Sequence, residues 1–381
     1  MEVSEIDKVD EAMKAGKYVV VQTAPAVRAA LGEEFDMPIG TLVTGKMVAA
    51  LKRLGFKKVF DTNFAADLTI MEEATELLGR MKNGGKLPMI TSCSLGWVNY
   101  AEYNYGDLLP HLSSCKSPHE MFGAILKSYY CEKNGIDPKD MFVVSIMPCT
   151  AKKSEKARPE LSVNGIPDVD AVLTTRELAK LIKRSGINFV KLPDAEFDND
   201  IVGDYTGAGV IFGTTGGVME AALRTAAFKL TGKELEKAEL TAVRGFDGIK
   251  EAAYDLGGVT VKVAVAHGMK NAKVLLDEIR AGKSEYHFIE IMGCPGGCIA
   301  GGGQPYVRPC FLPNEDADIL NTYKAKRASA LYREDESKAL RASHKNPQII
   351  ALYDEFLGEP NSHKAHELLH TTYAAREKFS K

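Results

Sequence analysis

The chain has 381 residues, of which 45% are hydrophobic and 26% are charged, and its formal net charge is −3 at pH 7. This apolar content over this length predicts a sizeable core, in one domain of two lobes or in two domains. The absence of a basic excess argues against nucleic acid and anionic membrane surfaces as partners.

The N-terminal stretch MEVSEIDKVDEAMKAGK (1–17) predicts a short charged helix without the apolar centre of a signal peptide. No run of about 20 apolar residues follows it, so we predict a cytoplasmic protein without membrane insertion. Seven cysteines in such a chain favour metal or redox chemistry over a disulfide framework.

Apolar runs typical of buried strands then alternate with helical patterns. Strands are predicted at KYVVVQTAP (17–25), KVFDT (58–62), LPMITSC (87–93), MFVVSIMPC (141–149), DAVLTT (170–175), GVIFGTTGG (209–217), VTVKVAVAHG (259–268) and YHFIEIMGC (286–294). Helices are predicted at about 43–54, at 68–84, and at RELAKLIKRSG (176–186), VMEAALRTAA (218–227) and KNAKVLLDEIRAG (270–282). Continuous apolar strands separated by helices predict a mostly parallel α/β architecture.

The sequence from 318 to 381 is charged and helical, with SKALRASHKN, PQIIALYDEFLG and SHKAHELLH as its main segments. We predict that 318–381 is a small helical C-terminal element that packs on a catalytic unit formed by 1–317.

Cysteines stand at the ends of predicted strands, as Cys93, Cys149 and Cys294. The carboxyl ends of parallel strands form the ligand-binding edge of such sheets, so these thiols can converge. Cys294 and Cys298 lie in GCPGGCIAGGGQP (293–305), where small residues let the backbone wrap closely around a large inorganic group. The C-x3-C spacing and the lack of a nearby histidine disfavour tetrahedral zinc and favour an iron–sulfur cluster.

Two other readings of the glycine-rich segments are weaker. GCPGGCIAGGGQP lacks the Gly-Lys-Ser/Thr ending of a phosphate-binding P-loop, and FGTTGGVMEAAL (212–223) does not match the dinucleotide pattern G-x-G-x-x-G. Cys131 and Cys310 are interpreted as structural, since free buried cysteines are common.

Three segments together resemble the signature segments of the [FeFe]-hydrogenases: TSCSLGW (91–97), MPCTAKKSEKARPE (147–160) and EIMGCPGGCIAGGGQP (290–305). The flanks QTAPAVRAALGEEF, ADLTIMEEATELLGR, LSSCKSPHEMFGA, TTRELAKLIK and FGTTGGVMEAALR also look like the clostridial-type catalytic domain. The resemblance extends over nearly the whole chain, without accessory ferredoxin-like domains. It implies an α/β fold of two lobes, with mostly parallel four-stranded sheets flanked by helices and the cluster between the lobes.

The family resemblance implies an H-cluster, which is a [4Fe–4S] cubane linked to a two-iron subcluster with CO, cyanide and azadithiolate ligands. By position, Cys149, Cys294 and Cys298 correspond to cubane ligands, with Cys298 as the bridge. Lys152 corresponds to the lysine that pairs with a cyanide, and a buried cyanide does need a cationic donor. Other residues expected to shape the pocket are Pro25, Ala26, Pro118, His119, Met147 and Met292. Both methionines are equally compatible with ordinary core positions.

The resemblance also maps a proton relay onto Cys93, Glu73, Ser113, Glu76 and Arg80. Glu73, Glu76 and Arg80 share one helix face by their spacing. Taken alone, that face is also compatible with a solvated run of charges. A carboxylate between a buried cluster and the surface is expected to have a raised pKa.

One position departs from the family pattern, which usually reads Thr-Ser-Cys-Cys-Pro-Gly-Trp in the first segment. Ser94 stands at the place of the fourth cubane thiolate, and Leu95 at the place of the proline. Three outcomes are open: Ser94 binds iron through oxygen, Cys93 moves in as the ligand, or Cys115 substitutes.

The implied activity is that of a ferredoxin hydrogenase type oxidoreductase, 2H⁺ + 2e⁻ ⇌ H₂. The implied partners are ferredoxin or flavodoxin as electron donor or acceptor, or a partner subunit, together with H-cluster maturation proteins. Two alternatives use the same fold: an H₂ or redox sensor with low turnover, and an iron–sulfur carrier of the kind found in cytosolic cluster assembly.

Overall fold

The structure, a computed structural model, describes residues 3–307 and 319–377. Cys310, predicted to be structural, lies outside these residues. The strands are β1 Tyr18–Thr23, β2 Lys58–Asp61, β3 Met89–Ile90, β4 Met141–Met147, β5 Ser162–Val163, β6 Ile166–Pro167, β7 Ala171–Thr174, β8 Ile249–Asp255, β9 Thr260–His267 and β10 Phe288–Met292.

Helices flank these strands along the chain. They are α1 Ile6–Lys14, α2 Pro25–Arg28, α3 Thr44–Arg53, α4 Asn63–Asn83, α5 Leu95–Asn104, α6 Pro118–Ile125, α7 Cys131–Asn134, α8 Lys152–Glu155, α9 Thr175–Arg184, α10 Gly207–Val210, α11 Gly217–Thr231, α12 Met269–Arg280, α13 Ile319–Ser337, α14 Pro347–Leu352 and α15 His363–Leu369. Helical turns of the π type occupy Leu126–Tyr130 and Tyr353–Leu357.

The first sheet has the order β2-β1-β4-β7, and each of its strand pairs is parallel. The register places Thr23 beside both Asp61 and Ile146, so the carboxyl ends of β1, β2 and β4 share one edge. Its strands are buried over nearly their whole length because helices cover both faces of a parallel sheet.

The second sheet has the order β3-β10-β9-β8 and is parallel except for β8, which pairs antiparallel with β9. Side chains alternate between its faces. Val263, Val265 and Phe288 pack in one apolar cluster, and Ala264 and Ile289 pack in another. Two mostly parallel four-stranded sheets flanked by helices confirm the predicted fold class.

Helix α4 connects the two sheets and is buried on most sides over its first twelve residues, 63–74. A helix that is buried all round belongs to the interior of a protein. Its last turns reach the surface and end at Gly84, whose φ of 70° lies in the left-handed region that glycine adopts readily. The helix therefore runs from the interior to solvent. Along it Glu73 is buried, whereas Glu76 and Arg80 are half-buried.

Most predicted elements are confirmed, but the prediction of a strand at 209–217 is wrong. This segment forms α10 and the 3-10 turn Ile211–Gly213. A Cβ atom at Gly209 would lie 2.6 Å from the carbonyl oxygen of Asn63, so the glycine lets α10 pack closely on α4. A short apolar run does not distinguish a buried strand from a buried helix.

Other boundaries differ from the predictions in smaller ways. Helix α4 begins at Asn63 rather than at 68, and LPMITSC contributes only the two-residue strand β3. Strand β8 was not predicted, because its outer face is exposed and its sequence, IKEAAYD, is largely polar.

The predicted helix SKALRASHKN (337–346) is also wrong, since its middle is irregular and only Ser343–Lys345 forms a 3-10 turn. Its side chains bond elsewhere: Arg341 pairs with Asp335, and Ser343 Oγ donates to Asp67 Oδ1 at 2.7 Å. These side-chain contacts stabilise the segment although its backbone is irregular.

Buried polar groups attach the C-terminal segment to the rest of the chain. Arg28 Nη2 donates to both carboxylate oxygens of Asp61 at 2.7 Å, and its Nη1 donates to Glu334 on α13 at 3.1 Å. Arg224 on α11 likewise pairs with Asp335 at 2.9 Å. No helix within 3–307 or 319–377 is long and apolar enough to cross a membrane. The division at 317/318 stays a prediction.

Candidate active site

A cleft lies between the carboxyl ends of the two sheets. Its walls come from the ends of β1, β3, β4 and β10 and from the first turns of α6 and α8. The predicted site residues that line it are Pro25, Cys93, Ser94, Pro118, His119, Met147, Cys149, Lys152, Met292, Cys294 and Cys298. The structure thus brings together eleven positions that are distant in sequence.

The glycine-rich loop after β10 forms one wall of the cleft at very close range. A Cβ atom at Gly297 would lie 2.6 Å from the amide nitrogen of Thr215, and one at Gly301 would lie 2.2 Å from the carbonyl oxygen of Pro148. Gly297 also has a φ of 91°, in the left-handed region. This loop therefore needs glycine for its close approach to neighbouring backbone, and it carries Cys294 and Cys298 into the cleft.

The three predicted cubane ligands are near enough to influence one another electrostatically. Burial, and then the neighbouring Cys149, raise the pKa of Cys294 to about 11. Burial and the other two thiols raise the pKa of Cys298 to about 12. Mutually close, half-buried thiols suit a positively charged metal cluster, because binding replaces their protons with metal. The donor set and the cleft therefore fit an iron–sulfur group.

Lys152 projects from α8 into the same cleft. Its Nζ donates to the carbonyl oxygen of Cys93 at 2.8 Å and lies 2.6 Å from Glu155 Oε2. Burial opposes the charge of Lys152, but the Glu155 carboxylate outweighs it and raises the lysine pKa. Lys152 is therefore held as a cation at the cleft wall.

Glu155 and His119 hold this lysine in place. His119 Nε2 lies 2.7 Å from Glu155 Oε2, the same oxygen that contacts Lys152. Burial works against ionisation of Glu155, but Lys152 and His119 outweigh it and lower its pKa to about 2. Burial and the charge of Lys152 lower the pKa of His119 to about 4, so the imidazole is neutral at pH 7.

Ser94 lies at the cleft wall beside the loop that carries Cys294. Its Oγ accepts a hydrogen bond from the backbone N–H of Gly293 at 3.0 Å. A hydroxyl that accepts one bond still has a second lone pair and its own proton. Ser94 therefore remains able to face a ligand in the cleft.

Cys115 lies elsewhere and does not line the cleft. Its side chain is buried, and its Sγ is 3.9 Å from Glu76 Oε2. The position of Cys115 therefore does not support the outcome in which it replaces the fourth cubane thiolate.

Glu73 is the fully buried carboxyl of the predicted relay. Among the described residues neither of its oxygens has a hydrogen-bond partner. Burial, with the charge of Glu76 as a second cause, raises its pKa to about 8. Burial and the nearby Glu73 raise the pKa of Cys93 well above its ordinary value. The two groups are thus protonated neighbours near neutral pH.

The outer part of the predicted relay forms a continuous set of contacts. Ser113 Oγ donates to Glu76 Oε2 at 2.9 Å, and Arg80 Nη2 donates to Glu76 Oε1 at 2.6 Å. Arg80 also donates to the carbonyl oxygen of Leu112 at 2.7 Å. Glu76 and Arg80 are half-buried, so this end of the relay is near solvent.

Ala26 is the predicted pocket residue that the structure places behind the wall rather than on it. Its carbonyl oxygen accepts from Gln304 Nε2 at 2.9 Å, and Gln304 Oε1 accepts from Thr175 Oγ1 at 2.7 Å.

Sequence reasoning missed Phe212, Thr62 and Ala66 in the lining, and Glu155 behind Lys152. Glu155 follows Lys152 by three residues, which is the one signal that could have indicated their pairing.

Two family models match the chain. Residues 17–302 match the iron only hydrogenase large subunit, C-terminal domain, and residues 321–376 match the iron hydrogenase small subunit. The chain therefore belongs to the iron-only hydrogenase family, as the signature segments predict.

Curated relatives include hydrogenases and a protein of another kind. The chain is 54% identical to the NADP-reducing hydrogenase subunit HndD of Solidesulfovibrio fructosivorans, over 95% of this chain and 61% of that protein. It is 50% identical to iron hydrogenase 1 of Clostridium pasteurianum, over 98% of this chain and 64% of that protein. It is 33% identical to Protein NAR1 of Arabidopsis thaliana, over 98% of this chain and 81% of that protein. The chain spans about three fifths of the length of the two hydrogenases.

Solved structures give the same assignment of fold. A variant of [FeFe]-hydrogenase HydA1 from Chlamydomonas reinhardtii is similar with a TM-score of 0.85 and 44% identity, over 99% of this chain and 100% of that one. A structure of HydA that concerns stepwise H-cluster assembly also has a TM-score of 0.85, over 98% of this chain and 99% of that one.

Proposed function

We propose that the chain is the catalytic unit of an [FeFe]-hydrogenase that interconverts protons, electrons and H₂. One observation carries the proposal: Cys149, Cys294 and Cys298 line the same cleft as Lys152 and the thiol of Cys93. The bound H-cluster, a [4Fe–4S] cubane linked to a two-iron subcluster with CO, cyanide and azadithiolate ligands, supplies the redox chemistry.

Cysteine and lysine side chains hold the cofactor in this proposal. Cys149, Cys294 and Cys298 would hold the cubane as thiolates, and Cys298 would also be the residue nearest the two-iron unit. Lys152 directs its ammonium into the cleft while Glu155 Oε2, 2.6 Å away, keeps the lysine charged. A cation at this wall suits an anionic cyanide, since a buried anion needs a charged donor.

Cys93 is proposed to pass protons between the azadithiolate and Glu73. Cys93 is half-buried and Glu73 is fully buried, and the pKa of Glu73 of about 8 lets its carboxyl take up and release protons near neutral pH. Ser113 and Glu76 continue the path, with 2.9 Å between Ser113 Oγ and Glu76 Oε2. Arg80 orients Glu76 at the outer end through its 2.6 Å contact.

The fourth cubane position is assigned to Ser94 as an oxygen ligand. Its Oγ lies at the cleft wall, 3.0 Å from the Gly293 amide that precedes Cys294. Oxygen is a harder ligand than thiolate, so we expect a cubane with an altered potential and weaker retention.

Electrons are proposed to come from ferredoxin or flavodoxin, and the H-cluster from maturation proteins. The loop that carries Cys294 and Cys298 reaches the surface at Pro295 and Gly302. Gly302 directs its backbone N–H at the Cys294 thiol, so a redox partner docked there would be close to the cubane.

An iron–sulfur carrier is the second candidate, supported by 31% identity to the cytosolic Fe-S cluster assembly factor narfl of Danio rerio, over 95% of this chain and 87% of that protein. A carrier has no need for a proton path, whereas the Glu73, Ser113 and Glu76 series leads from the cleft to the surface. A sensor of the same fold would keep the cofactor and show low turnover.

The test is infrared spectroscopy and H₂ turnover of anaerobically matured protein. The proposed hydrogenase shows CO and cyanide bands together with H₂ formation from a reduced dye. Bands with negligible turnover indicate a sensor, and iron without bands indicates a carrier. Cys298→Ser should abolish the bands, whereas Cys131→Ser, at a core cysteine that contacts Met141, should leave them unchanged.

A further inference from the structure

The C-terminal segment places a histidine beside the outer end of the proposed relay. His370 follows α15 and forms an antiparallel bridge with Cys115. Two backbone bonds flank this bridge: Lys116 N–H donates to Leu369 O at 2.8 Å, and Thr371 N–H donates to Ser114 O at 2.7 Å. The position of the His370 ring is therefore fixed by the same chain segment that carries Ser113.

Both ring nitrogens of His370 have polar partners. Nδ1 lies 2.8 Å from Ser114 Oγ, and Nε2 lies 3.0 Å from Glu72 Oε2. Glu72 is fully buried and accepts further bonds from the hydroxyl of Tyr353 and from the backbone N–H of Asn361. A buried carboxylate requires such partners, and it favours the tautomer with a proton on Nε2, in which the Nδ1 lone pair accepts from the Ser114 hydroxyl.

Glu76 is the link between this histidine and the relay. A carboxylate oxygen of Glu76, the sulfur of Cys115 and a ring nitrogen of His370 all lie within 4.8 Å of one another. Ser114 contacts both sides, because its backbone N–H donates to Glu76 Oε2 at 3.2 Å and its hydroxyl contacts His370. The gap between the Glu76 carboxylate and a ring nitrogen of His370 is therefore at most 4.8 Å, a distance that one bridging water would span.

Arg80, the other partner of Glu76, is unable to accept a proton. A guanidinium has five donors and no acceptor, and it stays charged at every accessible pH. Arg80 therefore carries no proton away from Glu76, whereas the imidazole of His370 has a ring nitrogen within 4.8 Å of the Glu76 carboxylate. His366, exposed on α15, packs against His370 with 4.0 Å between ring centroids and an angle of 38° between the rings, so it lies between His370 and solvent.

We propose that Ser114, His370 and His366 form a branch of the proton route that connects Glu76 with solvent. In the outward direction the O–H bond of Glu76 breaks and an Nδ1–H bond forms on His370, which becomes an imidazolium beside the Glu72 carboxylate. The ring then loses one proton to water, directly or through His366, and returns to its neutral form. This inference rests on the proposed function, because the branch has a purpose only if protons reach Glu76.

The groups that face His370 support this direction of transfer. Glu72 and Glu76 face it from α4, Cys115 faces it from the paired segment, and His366 faces it from its own helix. Burial raises the pKa of Cys115 well above its ordinary value, so this thiol is neutral and does not compete as an anion.

The first experiment tests the hydrogen-bonded geometry without any turnover. Histidine-selective ¹⁵N NMR of the matured protein at neutral pH should show His370 with its proton on Nε2. Glu72→Gln should remove that tautomer preference, and His363→Gln, an exposed position on the same helix, should leave it unchanged. A proton fixed on Nδ1 in the wild-type protein would overturn the branch.

The second experiment tests transfer. His370→Gln should lower turnover by roughly three- to ten-fold, less than the roughly hundred-fold expected for an acid–base group without a parallel path. It should leave the CO and cyanide bands unchanged, and imidazole in the buffer should restore turnover of His366→Ala. His363→Gln is again the control.

The outcomes separate the branch from the proposed function. Wild-type protein without turnover would overturn the proposed function, and the branch with it. Normal wild-type turnover with an equally active His370→Gln variant would overturn the branch alone.

Discussion

The hydroxyl of Ser94 accepts a hydrogen bond from the backbone N–H of Gly293 at 3.0 Å, which ties the end of β3 to the loop that carries Cys294. The residue at the expected place of a fourth thiolate is thus oriented by the segment that supplies another ligand. The hydrogen bond therefore fixes the position of the Ser94 side chain relative to the loop that carries Cys294.

Ser94→Cys is expected to increase retention of iron in protein reconstituted with the cubane. Thiolate is a softer ligand than a serine oxygen and suits an iron–sulfur cluster better. Iron lost to a chelator over time, and the cubane potential followed by electron paramagnetic resonance, are the measurements.

Ser92→Cys is the matched control, because Ser92 Oγ donates to the carbonyl oxygen of Cys115 at 3.0 Å and lies outside the cleft lining. Equal retention in wild type and Ser94→Cys would mean that position 94 does not bind iron.

Glu73→Gln is expected to change the pH dependence of stability. The folded protein keeps the Glu73 proton up to about pH 8, whereas an ordinary glutamate loses it near 4.5. Between these values the unfolded state binds fewer protons, so burial of Glu73 costs stability as pH rises, by up to about 1.4 kcal/mol per pH unit. Below pH 4.5 that cost is absent.

Urea unfolding at a series of pH values checks this prediction. The variant should gain stability over wild type as the pH rises from 4.5 to 8, while its turnover falls by roughly hundred-fold or more through loss of an acid–base group. Glu251→Gln, at an exposed position on β8, controls for the loss of a charge. A constant difference in stability at all pH values would contradict the raised pKa.

The sequence predicts most of the sheet strands from their apolar runs. It also predicts that Cys93, Cys149 and Cys294 converge, because each follows such a run and the carboxyl ends of parallel strands meet at one edge of a sheet. It does not predict α10, since the close contact between Gly209 and Asn63 that makes this segment helical comes from tertiary packing. For this segment the local apolar pattern predicts a strand, whereas the folded chain forms a helix.

Within the site, sequence motifs identify the side chains that line the cleft, but they do not identify the side chains that position them. Glu155 has no motif of its own, yet its carboxylate raises the pKa of Lys152 and contacts His119 Nε2 at 2.7 Å. His370 is 294 positions from Glu76 (370 − 76), and only the backbone bridge to Cys115 brings it near. Contacts of this kind depend on the folded chain and leave no local pattern.

Lys152→Met is expected to destabilise the protein and to remove the cofactor bands. The Glu155 carboxylate would lose its 2.6 Å partner while still buried, which typically costs about 3–5 kcal/mol. Urea unfolding measures the stability, and infrared spectroscopy of the matured variant measures cofactor retention.

The double variant Lys152→Met/Glu155→Gln separates the two effects, because no uncompensated carboxylate remains. It should recover most of the stability without recovering the cyanide bands of the wild type. A double variant with wild-type bands would show that Lys152 serves only as the partner of Glu155.

Arg28→Met is expected to destabilise the fold without touching the cleft. Arg28 is fully buried and bonds both oxygens of Asp61 at 2.7 Å, as well as Glu334 on α13. Its removal leaves a buried carboxylate unpaired, so we expect a loss of about 3–5 kcal/mol in urea unfolding.

Arg28→Met/Asp61→Asn should recover part of that loss, since the unpaired carboxylate is then gone while the link to Glu334 stays broken. Arg184→Met is the exposed comparison, because its pair with Asp10 lies at the surface and is worth about 1 kcal/mol or less. Equal losses from Arg28→Met and Arg184→Met would show that the buried pair does not anchor the C-terminal segment.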